Sequence, residues 1–266
     1  MSIKTRLLKV ALRGATLVDA NFLGNVVKFA NMSLGKGFGA TTLNHEVKTI
    51  SDFCHVRKIE ISNIFDVGAN VGAYSQELRE FFPEAQIFAF EPSESSAKKF
   101  SKRFSEDSNV ILIESAVGNI DGTATLHSDF ESSGLASLTK RRLDHFGISF
   151  GNSQDVKVLT LDTWFGINEV IPDFIKIDVE GHELDVLRGA EKIVAKTSLI
   201  QFEFGGCNID TRTFFQDFYY YFKQADFKLF RITPRGLFQI KEYLEEDEYF
   251  ATTNYLAVNA RLVEMI

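Results

Sequence analysis

The sequence is poor in cysteine, with Cys54 and Cys207 as its two thiols in 266 residues. Two cysteines cannot build the disulfide framework of a small secreted domain, nor a metal cluster on their own. We therefore expect a reducing compartment and a cytoplasmic protein. Basic charge is also scarce, because 29 lysines and arginines stand against 36 acidic residues, which gives a net charge of −7. A nucleic-acid groove needs clustered basic residues, so the composition predicts no nucleic-acid partner.

Long apolar runs are absent from the sequence as well. No segment reaches the roughly 20 uninterrupted apolar residues that a membrane-spanning helix requires, so we expect no transmembrane segment. The basic start of the chain, residues 1–10, looks like the charged part of a signal peptide. Arg13, Asp19 and Asn21 interrupt the apolar stretch that should follow, which argues against secretion. The oligomeric state is not indicated by any of these features.

Phenylalanine is the residue in excess, with 26 copies beside a single tryptophan. Phe214, Phe218 and Phe222 recur every four residues, which favours a helix stripe packed on the core. Other aromatic residues of the last third do not fit that stripe and could form an acceptor-binding surface: Tyr220, Tyr221, Phe238, Tyr243, Tyr249 and Phe250.

Two regions differ in their pattern. Residues 1–60 mix short apolar runs with glycines and predict a small helical N-terminal extension. Residues 61–266 alternate short apolar strands with helical stretches, one of them predicted over 183–196. Such alternation is typical of an α/β, Rossmann-like domain, with a mostly parallel sheet and helices on both faces.

A glycine-containing loop follows the first strand of this domain. Asp66 lies in that strand, Gly68 allows a sharp turn into a helix, and Gly72 allows close packing at the helix start. Glu91 ends the next strand, where a carboxylate can accept both hydroxyls of a ribose. The combination predicts a nucleoside site.

The loop does not fit a dinucleotide well, because Asn70 and Ala73 replace two glycines of the usual fingerprint. A ligand with an ammonium and a carboxylate, such as S-adenosylmethionine, fits better, since Asp66 could pair with the ammonium. An NAD-dependent sugar-modifying oxidoreductase or epimerase remains an alternative, as does a non-catalytic nucleoside-binding module.

Four segments together resemble the FkbM family of methyltransferases: residues 66–72, 90–92, 115–118 and 175–183. The resemblance implies a class I methyltransferase fold, with a seven-stranded sheet whose last strand pair is a reversed hairpin. It also implies S-adenosylmethionine as the methyl donor and a hydroxyl of a sugar, glycan or glycosylated natural product as the acceptor.

The resemblance also assigns cofactor-binding residues. Those expected at the methionine end are Asp66, Gly68, Asn70 and Gly72. Glu91 is expected at the ribose, Ser115 and Ala116 near the adenine, and Asp178 is included in the cofactor site.

Three residues are candidates for the chemistry. Asp178 ends the fourth main strand, at the position where open α/β sheets bind ligands, and Glu203 lies near the end of the adjacent fifth strand. His182 precedes a helix and could accept the proton of the acceptor hydroxyl. Asp178 and Glu203 could orient groups in the site or hold a divalent ion such as Mg²⁺, although nothing else in the sequence indicates a metal.

Overall fold

Strands and helices alternate along most of the chain in the computed structural model, which describes residues 19–39 and 42–263. The strands of this part are β1 (Asn63–Val67), β2 (Gln86–Phe90), β3 (Val110–Ile113), β4 (Ala116–Val117), β5 (Gly122–Ser128), β6 (Asn152–Leu159), β7 (Phe174–Ile177), β8 (Leu199–Phe204), β9 (Phe227–Thr233), β10 (Gly236–Ile240) and β11 (Thr253–Asn259). The α-helices are α1 (Ala20–Ser33), α2 (Leu43–Arg57), α3 (Ala73–Phe81), α4 (Glu94–Arg103), α5 (Leu161–Asn168), α6 (Glu183–Arg188), α7 (Glu191–Val194), α8 (Cys207–Thr211), α9 (Phe215–Gln224) and α10 (Ala260–Val263).

The main sheet has the strand order β10-β9-β11-β8-β7-β1-β2-β3. The five strands from β8 to β3 pair in parallel, whereas β11, β9 and β10 pair antiparallel. Strand β11 lies between β8 and β9, which is the reversed hairpin that the family resemblance implies. The prediction of seven strands is wrong, because β10 folds back onto β9 and adds an eighth. A separate sheet has the order β4-β6-β5.

Helices cover both faces of the main sheet, as the alternating pattern predicts. Successive residues of a strand point to opposite faces, so Phe65 and Ile64 of β1 belong to different apolar clusters. Helices α2 and α3 cover the Ile64 face with Val47 and Leu78. Helix α9 covers the Phe65 face with Phe218. Helix α2 thus packs directly on the sheet. The boundary at residue 60 between an N-terminal extension and the domain stays a prediction.

The aromatic stripe of α9 differs from the predicted one by its first residue. Phe215, Phe218, Tyr219 and Phe222 are buried, whereas Phe214 precedes the helix and is 49% exposed. The other aromatic residues of this region do not share one set of neighbours. For example, the Tyr221 hydroxyl donates to the Leu187 carbonyl at 2.8 Å, whereas the rings of Phe250 and Phe204 are 5.2 Å apart.

One irregular segment matters for the site. The covering segment, residues 129–151, follows β5 and contains one short 3₁₀ helix, Asp144–Phe146.

The prediction of a single helix over 183–196 is wrong, because Gly189, a poor helix former, separates α6 from α7. Among the helices described, none combines the length and apolar character needed to cross a membrane.

Candidate active site

A cleft lies at the carboxyl ends of β1, β2 and β7. In open α/β sheets this edge binds ligands, because loops diverge there and leave a crevice. The cleft brings together most of the residues that the sequence singles out: Gly68, Asn70, Glu91, Ser115, Ala116, Asp178 and His182. Asp66, Gly72 and Glu203 do not line it.

Gly68 allows two loops of this edge to meet. Its φ is +83°, and a Cβ atom placed there would lie 1.8 Å from the carbonyl oxygen of Asp178. Gly72 also has a positive φ, and a Cβ there would lie 2.6 Å from Phe104. Gly72 therefore serves the packing of the α3 start, whereas Gly68 forms part of the cleft wall.

Glu91 supplies a carboxylate to the cleft. Its Oε2 accepts a hydrogen bond from the backbone N–H of Asn70 at 2.7 Å, and its Oε1 accepts one from the N–H of Ser93 at 2.7 Å. Each carboxylate oxygen can accept more than one hydrogen bond, so both retain capacity for a ligand. Burial raises the pKa of Glu91 to about 7, although the two N–H donors oppose that rise.

Ser115 and Ala116 lie on another part of the cleft wall. The Ser115 hydroxyl lies 3.0 Å from the carbonyl oxygen of Lys157 and 3.0 Å from that of Ala116. Its proton is therefore directed at the backbone of the small sheet.

Asp66 is fully buried beneath the cleft and contacts other side chains there. Its Oδ2 accepts a hydrogen bond from Ser75 at 2.6 Å, and its Oδ1 lies 3.5 Å from the ammonium of Lys176. As placed, the Asp66 carboxylate faces Ser75 and Lys176. A contact between Asp66 and the ammonium of a cofactor stays a prediction.

Lys176 is a buried cation that the sequence analysis gave no role. Its ammonium lies 3.3 Å from Asp178 Oδ2 and donates to the Gly68 carbonyl at 3.3 Å. Burial alone would lower the pKa of Lys176, but the carboxylates of Asp178 and Asp66 outweigh it and raise that pKa. A lysine in the middle of the apolar strand Phe174–Ile177 is the signal that could have indicated such partners, because a buried charge needs compensation.

His182 lies immediately before α6, and both of its ring nitrogens have a hydrogen-bonding partner. Its Nδ1 is 3.0 Å from Asp185 Oδ2, and its Nε2 is 2.9 Å from the Thr139 hydroxyl. Because a carboxylate only accepts hydrogen bonds, Nδ1 is the donor, and Nε2 of the neutral ring is left as the acceptor. The hydrogen bond from His182 lowers the pKa of Asp185, which keeps that carboxylate ionised. Nε2 is therefore the unprotonated nitrogen of the neutral ring, and the Thr139 hydroxyl occupies it.

The covering segment closes over this part of the cleft. Ser137 donates from its hydroxyl to the Glu180 carbonyl at 2.8 Å, and Arg141 forms an ion pair with the Glu180 carboxylate. Thr139, in the same segment, reaches His182. The segment is thus attached to the loop after β7 at three points.

Several carboxyl groups lie close to Asp178. Burial, followed by the charge of Asp178, raises the pKa of Glu180 to about 8, and the same two causes raise the pKa of Glu203 well above its usual value. Burial also raises the pKa of Glu183, whose Oε1 accepts hydrogen bonds from the backbone of Val179 and Gly181. Glu183 and Glu203 are held toward their neutral forms beside the ion pair of Asp178 with Lys176, whereas the charge of Arg141 opposes the rise at Glu180.

The residues present do not fit the divalent ion considered from the sequence. Lys176 already neutralises Asp178, and the raised pKa of Glu203 disfavours the ionised ligand that Mg²⁺ prefers. Within residues 19–39 and 42–263, no group of three or more His, Cys, Asp or Glu side chains is arranged to hold a metal.

A buried polar network lies behind the ion pair. Gln201 donates to Glu46 Oε2 at 2.9 Å and accepts a hydrogen bond from the Tyr74 hydroxyl. Burial raises the pKa of Glu46 to about 7. Sequence reasoning missed this network, because Glu46, Tyr74 and Gln201 come from three distant elements.

Comparison with known proteins places this site in a family. Residues 66–229 match the methyltransferase FkbM domain. The chain is 27% identical to 2-O-methyltransferase NoeI of Sinorhizobium fredii over 153 residues, which cover 53% of this chain and 62% of the relative. It is 25% identical to hexuronic acid methyltransferase AglP of Haloferax volcanii over 143 residues, covering 52% of this chain and 53% of the relative. The matched region thus spans less than two thirds of each relative.

Among solved structures, this chain matches precorrin-6y C5,15-methyltransferase from Geobacter metallireducens with a TM-score of 0.41 and 10% identity, over 79% of this chain and 87% of that one. The predicted Rossmann-like methyltransferase fold is confirmed, with the eight-stranded sheet as its correction. The family match covers the loop after β1, Glu91, and the whole segment from Asp178 to His182. The chain therefore belongs to the FkbM family of methyltransferases.

Proposed function

We propose that this protein transfers a methyl group from S-adenosylmethionine to a hydroxyl of a sugar or glycan. The observation that carries the proposal is that the Glu91 carboxylate and His182 line one and the same cleft. The names of two relatives support the acceptor class, since one refers to 2-O-methylation and the other to a hexuronic acid. Cytoplasmic location remains a proposal that rests on the low cysteine content.

The cleft wall fits the cofactor. Glu91 keeps free acceptor capacity for the ribose hydroxyls, and Ser115 and Ala116 would lie beside the adenine. Gly68 and Asn70 would lie along the methionine end, next to the start of α3, where backbone N–H groups favour a carboxylate. When bound there, S-adenosylmethionine supplies an electrophilic methyl group on a sulfonium.

His182 is the base in this proposal. Asp185 fixes the proton on Nδ1, so Nε2 can take the proton of an acceptor hydroxyl. The hydroxyl of Thr139 occupies that nitrogen in the structure, at 2.9 Å. An acceptor hydroxyl would replace Thr139 at Nε2, and the covering segment would then enclose the sugar beside Asp178.

The ligand class can be tested by thermal unfolding. We expect S-adenosylhomocysteine to raise the melting temperature in a concentration-dependent manner, because it binds the native state alone. NAD should leave the melting temperature unchanged. Transfer of a radioactive methyl group to a panel of sugars and uronic acids then tests the reaction. Stabilisation by NAD without stabilisation by S-adenosylhomocysteine would overturn the proposal.

The affinity for S-adenosylhomocysteine should rise with pH. The ribose hydroxyls favour the ionised form of Glu91, whose pKa in the free protein is raised to about 7. Since the ionised fraction grows about tenfold between pH 6 and pH 8 for such a group, we expect Kd to fall by up to about tenfold over that range. Isothermal titration calorimetry at both pH values measures the change.

Two variants separate Glu91 from other titrating groups. Glu91→Gln should bind S-adenosylhomocysteine more weakly at pH 8 and lose most of the pH dependence. Glu46→Gln is the matched control, because burial raises the pKa of Glu46 also to about 7 but Glu46 does not line the cleft. If Glu91→Gln kept the full pH dependence, the ribose would not be bound at Glu91.

A further inference from the structure

Helix α1 presents a continuous apolar face to solvent. None of its residues is buried. Phe22, Val26 and Phe29 fall on one stripe of the helix, and their exposed fractions are 59%, 47% and 73%. The opposite side carries polar residues: Asn21, Asn25, Lys28 and Asn31. A contiguous exposed apolar surface of this kind marks an interaction site.

The charge around α1 indicates what the face binds. Residues 1–28 hold five basic residues and one acidic one, whereas the whole chain has a net charge of −7. Residues 1–18 contribute four of these basic residues to the sequence and lie outside the described part. In the sequence this helix follows a basic segment, and an apolar helix face joined to positive charge complements an anionic lipid surface, where lysine and arginine meet the headgroups.

The attachment of α1 places it at the same edge of the sheet as the cleft. The segment after α1, residues 34–39, bonds to the start of β11, through Gly37 N–H to the Thr253 hydroxyl at 2.8 Å and Gly39 N–H to the Thr252 carbonyl at 3.0 Å. Thr253 pairs with Phe204, the last residue of β8. Because the parallel strands β1, β7 and β8 end at this edge, α1 and the cleft share it.

We propose that α1 docks this protein on an anionic membrane surface. The apolar face would lie in the headgroup region parallel to the membrane plane, which requires no spanning segment. The cleft would then face acceptors held at that surface, such as lipid-linked glycans. This last point rests on the function proposed above, whereas the docking itself does not.

Flotation of the full chain with vesicles tests the docking without cofactor or acceptor, so its outcome is separate from methyl transfer. We expect the protein to float with phosphatidylcholine vesicles that contain phosphatidylglycerol, and to float much less with phosphatidylcholine alone or at high salt. The triple variant Phe22→Ser, Val26→Asn, Phe29→Ser should lower the vesicle-bound fraction at least about tenfold, because three apolar side chains leave the interface.

The control variant Asn21→Ser, Asn25→Ser changes the polar side of α1 and should float like the parent. Unchanged melting temperature and S-adenosylhomocysteine affinity in the triple variant would show that the domain is folded. Equal flotation of triple variant and parent, or no flotation of the parent, would overturn the proposal. The proposal would also be overturned if the parent protein were a dimer in the absence of vesicles and the triple variant were a monomer. The apolar face of α1 would then bind a second copy of the chain.

Discussion

Replacement of His182 by alanine is expected to lower kcat by about 10²–10⁴-fold, the range over which a positioned general base contributes. The variant loses the nitrogen that receives the hydroxyl proton, while the cleft residues Gly68 and Glu91 are untouched. The Kd for S-adenosylhomocysteine should therefore stay within about twofold of the parent value. Steady-state kinetics with the acceptor found in the sugar panel, combined with calorimetry, measures both quantities.

Two further variants test the role assigned to the ring. Asp185→Asn keeps the size of the side chain but no longer fixes the proton on Nδ1, so its kcat should fall as well, by a smaller factor. His55→Ala removes an exposed histidine of α2 and should leave kcat unchanged. An unaltered kcat in His182→Ala would show that another group accepts the proton.

Replacement of Lys176 by methionine is expected to destabilise the protein by about 3–5 kcal/mol, the usual cost of removing one partner of a buried ion pair. Methionine fills a similar volume, so the change removes charge with little loss of packing. Asp66, which has no exposed surface, and Asp178 would then lose the ammonium that neutralises them. Urea denaturation at pH 7 measures the free energy of unfolding.

A second charge removal provides the matched control. Lys98 pairs with Glu94 on the surface of α4, with both side chains more than 70% exposed, so Lys98→Met should leave the urea midpoint almost unchanged. The double variant Lys176→Met, Asp66→Asn should recover part of the lost stability, because it removes one of the stranded carboxylates. Stability of Lys176→Met equal to that of the parent would contradict the buried ion pair.

The parts of the site that follow directly from a strand could be predicted from the sequence. Gly68 comes immediately after β1 and Glu91 immediately after β2, and parallel strands place their carboxyl ends at one edge. A local pattern thus determines their position, and the structure brings both residues into one cleft. The same reasoning placed Asp178 and His182 there.

Contacts between distant elements could not be predicted in this way. Thr139 reaches His182 across 43 residues of sequence, and no period or motif indicates that pairing. The sequence also could not show which of the neighbouring carboxyl groups are held toward their neutral forms, because that depends on how deeply each group is buried. Asp66 and Glu203 have the residue types of a ligand site, yet neither lines the cleft in the structure. The eighth strand of the sheet was not expected because the count of seven came from the family resemblance, whereas β10 pairs at the outer edge of the sheet.

The position of β11 has a consequence for synthesis of the chain on the ribosome. All seven residues of β11 are buried between β8 and β9, although they are made after both of these strands. Until residues 253–259 emerge, β8 and β9 each expose an unpaired edge to other nascent chains. Completion of the sheet thus depends on contacts of long sequence separation, which form slowly. Chains released before β11 is available should be captured by chaperones or aggregate through these two edges.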